Sequence, residues 1–93
     1  MIQSFRDKRT RDFWLGKRVK AFASVARRAE LKLDRLNSAT CLRDLFLRGN
    51  RLEALKGDRH GQWSIRINAQ WRVCFEWDAG QLGPTNVEIV DYH

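Results

Sequence analysis

The hydrophobic period of this chain changes once, and the change leaves few architectures open to it. From about Lys20 to Ala39, residues Phe22, Val25, Ala26, Ala29, Leu33 and Leu36 recur at spacings of three and four. That is the stripe of an amphipathic helix, and no Gly or Pro interrupts it. Arg27, Arg28, Lys32 and Arg35 fall largely outside the stripe. After Gly61 the period becomes two. Trp63, Ile65 and Ile67 alternate with Ser64, Arg66 and Asn68, and Trp71, Val73, Phe75 and Trp77 alternate with Arg72, Cys74 and Glu76. Two strands joined through Asn68-Ala69-Gln70 as a hairpin account for this pattern. Val87-Glu88-Ile89-Val90 begins a last strand.

A striped helix and a one-sided sheet each need a covering partner, and here they can cover one another. The Trp63/Ile65/Ile67 and Trp71/Val73/Phe75/Trp77 face is the only large apolar surface available to the helices. The expected fold class is therefore α+β, with helices on one face of a small antiparallel sheet and the other sheet face left polar. Ile2 to Phe5 reads as a short first strand. Asp7 is placed to cap a short helix ending near Gly16, with Phe13, Trp14 and Leu15 on its inner side. Thr40 to Leu47 reads as a helical turn with Leu42, Leu45 and Phe46 inward. Residues 52–57 lead into a polar connection, Asp58-Arg59-His60-Gly61. A chain of 93 residues has room for one core, so a single domain over 1–93 is expected.

The net charge of +7 favours an anionic partner. The excess lies early: residues 1–36 hold eleven Lys/Arg against four Asp/Glu, and residues 37–93 hold seven against seven. A basic helix flank of this kind either is a solvated face or steers the domain onto phosphates. Cys41 and Cys74 have no metal-ligand spacing and read as free thiols. No His/Cys/Asp/Glu group has zinc or calcium spacing, and no Gly-rich phosphate loop or nucleophile elbow appears, so neither metal nor cofactor is expected. Met1 to Arg6 is not followed by a long apolar run. The expected compartment is the cytoplasm, with no membrane partner.

Alternation turns Arg72 to the face away from the core. If the last strand pairs beside the strand carrying Arg72, Asp91-Tyr92-His93 come near that arginine. Lys56, just before the sheet, then shares one groove with Arg72, Asp91, Tyr92 and His93. Such a set suits RNA cleavage, in which the ribose 2′-OH is itself the nucleophile. Protein groups need only move two protons and hold the charge that builds on the phosphate. Plainer roles stay open for each: a solvated strand arginine, a loop lysine, a tyrosine closing the core edge, a frayed histidine. His60 reads as a surface loop residue.

Three segments taken together are similar to one known family. Leu55-Lys56-Gly57-Asp58-Arg59 with Gly61-Gln62-Trp63-Ser64-Ile65-Arg66, then Asn68-Ala69-Gln70-Trp71-Arg72-Val73-Cys74-Phe75, then Val87-Glu88-Ile89-Val90-Asp91-Tyr92-His93 resemble the HigB-type plasmid-maintenance toxins of the RelE superfamily. The resemblance implies a RelE-like fold, an N-terminal strand and two helices on one face of a small antiparallel sheet. It implies a ribosome-dependent mRNA endonuclease acting in the A site without a cofactor. The implied partner is a HigA-type helix-turn-helix antitoxin, through which the complex meets operator DNA. The family's basic groove carries over to Lys56, Arg72, Asp91, Tyr92 and His93 as catalytic residues, with Arg51, Arg59 and Arg66 as RNA-binding ones. One position departs: where members often carry His, this chain has Glu53. A carboxylate there can accept a proton but repels phosphate, so a weaker or differently tuned nuclease is expected. The competing readings are a non-catalytic RNA- or ribosome-binding module and a basic protein fitted to an acidic protein partner.

Overall fold

The computed structural model describes residues 1–92. Helix α1 spans Lys8–Trp14. Its N-cap is Asp7, whose carboxylate accepts the Thr10 N–H at 3.2 Å. Gly16, at φ +93°, ends the segment. A 3₁₀ turn, Lys20–Val25, leads into α2, Ala26–Ser38. Four strands follow: β1 Glu53–Ala54, β2 Trp63–Arg66, β3 Trp71–Glu76 and β4 Thr85–Asp91. They form one antiparallel sheet in the order β1-β2-β3-β4.

The single helix expected over 20–39 divides at Val25, whose φ of −123° and ψ of 10° lie outside the α region. Phe22 and Val25 are three residues apart, and a 3₁₀ turn brings such positions to one side as an α-helix does. Six residues cannot separate the two periods, although the inward residues come out the same. Phe22, Val25, Ala29, Leu33 and Leu36 are all buried. They meet Ile65, Ile67, Trp71, Val73, Phe75, Trp77, Val87 and Ile89 in the main core, with Phe13, Trp14 and Trp63 packed at its margin. Each large side chain so buried contributes roughly 1.5–3 kcal/mol.

Other expectations need correction. The N-terminal strand reduces to one parallel bridge, Phe5 to Val87. The segment still runs along the outer edge of β4: Gln3 N–H donates to Pro84 O, Val87 N–H to Ser4 O, and Arg6 N–H to Val87 O. Buried Thr10 extends this cover by accepting the Ile89 N–H at 3.0 Å on Oγ1. An edge so occupied is closed to pairing with other chains. Leu15 and Phe46 are exposed rather than inward. The turn Leu42–Leu45 brings Leu42 and Leu45 inward at a spacing of three, and Phe46 falls just past it as the cap. Lys32 is buried: Ala29 at i−3 and Leu36 at i+4 carry it into the stripe, where its Nζ donates to Gly49 O at 3.1 Å and Asn50 Oδ1 at 2.9 Å. Burial, and then the nearby Arg35 and Arg28 guanidiniums, push its pKa below the usual lysine value.

Candidate active site

The register fixes which side chains share the face away from the helices. Arg72 stands opposite Arg66 on β2 and opposite Val90 on β4, while Ser64 stands opposite Cys74 on one side and Glu53 on the other. That face is not simply polar, as expected from the alternation. Leu55, Cys74 and Val90 form a second small buried cluster, and Tyr92 packs against it. Leu55, carried just beyond the short strand β1, supplies the cover.

Arg72 is the centre of this face. Its guanidinium carbon lies 5.2 Å from the centroid of the Tyr92 ring, a cation–π contact. Its Nη1 donates to Ser64 Oγ at 2.7 Å, and its Nη2 lies 3.5 Å from Glu53 Oε2. The side chain is 17% exposed, so an apolar floor, a ring and a hydroxyl hold the guanidinium in one orientation while part of it still meets solvent. Arg66 directly across the strand pair puts two like charges side by side. Such a pair costs stability unless an anion lies over it. Glu53 is the departing position noted in the sequence, and it supplies part of that negative charge. Of the three chain-end residues expected near this arginine, Tyr92 is the one placed against it.

The remaining site residues are placed unevenly. Lys56 is exposed at the end of the segment bearing Leu55 and precedes the turn Gly57–Arg59. Arg59 is drawn elsewhere: its Nη1 donates to Glu88 Oε1 and Gln62 Oε1, each at 3.1 Å, so a carboxylate already balances its charge. Arg51 is exposed, in the left-handed region at φ 45°. Asp91 pairs with Trp71, and alternation along β4 turns it to the side opposite Tyr92. Its carboxylate accepts from Gln70 Nε2 at 3.0 Å, and Tyr92 N–H donates to Gln70 O at 2.7 Å. The hairpin residue Gln70 thus clasps the end of β4 on both sides of the peptide. His93 lies outside the described residues. Sequence reading missed Ser64 and Gln70. A small hydroxyl residue opposite Glu53 and a hairpin amide carry no chemical signature of their own, and only the strand register brings them to the site.

Cys74 lies under Arg72 in the floor. Burial pushes its thiol up to about 11, and it is fully buried, whereas Cys41 is exposed. One fast thiol equivalent, from Cys41, is therefore expected when the folded protein meets a thiol reagent at about pH 8. Cys74 should react only after denaturation. Two fast equivalents would show that the floor opens in the native state.

The whole fold is that of a YoeB/ParE toxin from Agrobacterium tumefaciens, with a TM-score of 0.57 over 99% of this chain and 97% of that one at 20% identity. The fold is thus shared with that structure, and in this chain it carries an arginine-centred, partly open sheet face. The chain belongs to the RelE-like toxins of type II toxin-antitoxin systems, HigB, whose family model matches residues 3–93. It is 39% identical over 62 residues to the protein named endoribonuclease HigB of Proteus vulgaris, covering 67% of this chain and 65% of that protein. It is 44% identical over 50 residues to toxin HigB-1 of Vibrio cholerae, covering 53% of each. The matches thus span between about half and two-thirds of these relatives' length. Among the described residues, no helix is long and apolar enough to cross a membrane.

Proposed function

We propose that this chain is an endoribonuclease that cuts mRNA in the ribosomal A site and is held inactive by a HigA-type helix-turn-helix antitoxin, whose complex binds operator DNA through the antitoxin. The cytoplasm is where it meets both partners. The observation that carries the reading is Arg72, oriented by Tyr92 and Ser64 on the face away from the helices, with Arg66 beside it. Paired guanidiniums there suit a phosphate, and the Tyr92 ring suits an unstacked base.

The chemistry uses the RNA's own hydroxyl. The 2′-oxygen attacks the adjacent phosphorus as its proton passes to a base, the bond from phosphorus to the 5′-oxygen breaks, and an acid returns a proton to that oxygen. A 2′,3′-cyclic phosphate and a 5′-hydroxyl result. Lys56 and His93 share the acid and base work. Arg72 holds the charge developing on the phosphate. Tyr92 places the nucleotide, and Asp91 fixes the strand end that bears both Tyr92 and His93. Arg51 and Arg66 extend the hold on RNA, while Arg59 serves mainly to tie Gln62 to Glu88.

Primer extension on mRNA bound to programmed ribosomes tests the reading. New 5′ ends that require the protein are expected. Tight ribosome binding without new ends would replace the nuclease by a binding module. Glu53 sharpens the experiment, because its carboxylate competes with phosphate for Arg72. Glu53→Gln should raise the cleavage rate roughly two- to fivefold, the range of a solvent-screened ion pair of about 0.4–1 kcal/mol. A fall in rate would make Glu53 a working base instead of a brake.

A further inference from the structure

A second basic feature lies beside Arg72, sharing Arg51 and Arg66 with the site just described and adding cations of α2 to them. One flank of α2 and the end of the β2–β3 hairpin enclose an open cleft of about 720 Å³. Arg28, Lys32, Arg35, Arg51 and Arg66 line it, with no acidic side chain among its walls. Among the described residues, none of these five cations forms an ion pair. Outside the cleft, Asp12 faces Lys8, Arg11 and Lys17, Glu88 faces Arg6 and Arg59, and Glu53 faces Arg72, while cations without an ion pair among the described residues, such as Arg18, Lys20, Arg27 and Arg43, take no part in its walls. Lys32 is held in the wall by two uncharged oxygens, of Gly49 and Asn50, so its charge is fixed in place and left uncompensated. Folding therefore gathers five like charges around one concave surface, an arrangement stabilised by a polyanion.

Arg66 belongs to both features, opposite Arg72 in the register and in the wall of the cleft. We propose that the cleft is a track for single-stranded RNA, taking the phosphates of the strand as it leaves Arg72 and passes Arg66. This rests on the reading of the Arg72 face as the point of RNA contact. A single strand fits because its phosphates can follow a short concave path lined by point charges and forks. The track adds affinity and register without touching the scissile bond.

The test is fluorescence anisotropy with a labelled 2′-O-methyl RNA of about ten nucleotides, a length within the range of single-strand sites. Lacking the 2′-hydroxyl, this strand cannot be cut. Salt titration of the wild type is compared with Arg28→Ala/Arg35→Ala, and with Arg18→Ala/Lys20→Ala, which removes the same charge from exposed positions outside the cleft. The cleft variant should lower the slope of log affinity against log salt by roughly 1.4, the share of two single-strand phosphate contacts. The control should leave it unchanged, and both should keep the wild-type melting temperature. Arg28→Lys/Arg35→Lys should restore most of the slope. Equal losses from cleft and control variants would reduce the track to net charge and overturn it. So would tighter binding of an RNA duplex of equal length, or displacement of the RNA by an acidic peptide at lower concentration than by unlabelled RNA. The Arg72→Ala protein separates the two readings. Normal binding there with weak binding by the cleft variant keeps the track and removes the Arg72 face, whereas the reverse pattern does the opposite.

Discussion

Arg72→Ala is expected to lower ribosome-dependent cleavage by a factor of about 10²–10³, the cost of removing one preorganised donor to a developing oxyanion. The guanidinium is the best-oriented cation of the sheet face, fixed by the Ser64 hydroxyl at 2.7 Å and the Tyr92 ring at 5.2 Å. Those contacts exist before any substrate arrives, so the guanidinium need not reorganise as charge develops on the phosphate. Arg72→Lys keeps the charge but loses the planar fork and the stacking, and should recover only a small part of the rate. The fold should survive both changes. The side chain lies on the face away from the main core, and the expected stability loss is about 1–3 kcal/mol, from the bond to Ser64 and the lost cover over the floor. Primer extension reads the rate, and far-UV circular dichroism with a melt reads the fold. A folded Arg72→Ala protein that cuts like the wild type would remove Arg72 from the mechanism. One that neither cuts nor folds would make Arg72 a structural residue.

The sheet was legible because its residues report their face one by one. Alternation over 63–77 places Ile65, Ile67, Val73 and Phe75 inward and Arg72 outward, and the pairing of β3 with β4 follows from a short connection. The Arg72–Tyr92 contact could thus be anticipated from faces alone. What alternation does not carry is the register, and the register decides the neighbours. Arg66 opposite Arg72, Glu53 beside Ser64, and Asp91 turned toward Gln70 all depend on which residue pairs with which. A strand of two residues, such as β1, gives no period to read. The helical half misled in a different way. Charge alone suggests exposure, and Lys32 shows why that fails: a long stem can lie in the stripe while carbonyl oxygens at the turn Arg48–Asn50 receive its ammonium. Its spacing from Ala29 and Leu36 was the available signal. Arg59 was equally opaque, since its partner Glu88 lies 29 residues away in sequence.

The same contrast between charge and packing makes Phe22 the position where truncation should cost most in stability. Phe22 is fully buried at the turn joining the two helices. Its ring meets the edge of Phe13 at 5.5 Å and of Trp71 at 5.7 Å, both near perpendicular, and the Arg9 guanidinium lies 5.0 Å from its centroid. One side chain thus joins α1, the 3₁₀ turn and β3. Phe22→Ala removes the buried ring and leaves a cavity that α1 and the sheet cannot both close, at a cost of about 3–5 kcal/mol. A small domain has a total stability of roughly 5–15 kcal/mol, so the variant should stand near its unfolding limit. Phe46→Ala is the matched control. It removes the same atoms from a site 65% exposed and should stay within about 0.5 kcal/mol of the wild type. Urea denaturation of both proteins measures the difference. If Phe22→Ala unfolds within about 1 kcal/mol of the Phe46→Ala protein, the helices are not held to the sheet through this ring. The orientation of β3, and with it the placement of Arg72, would then need another source.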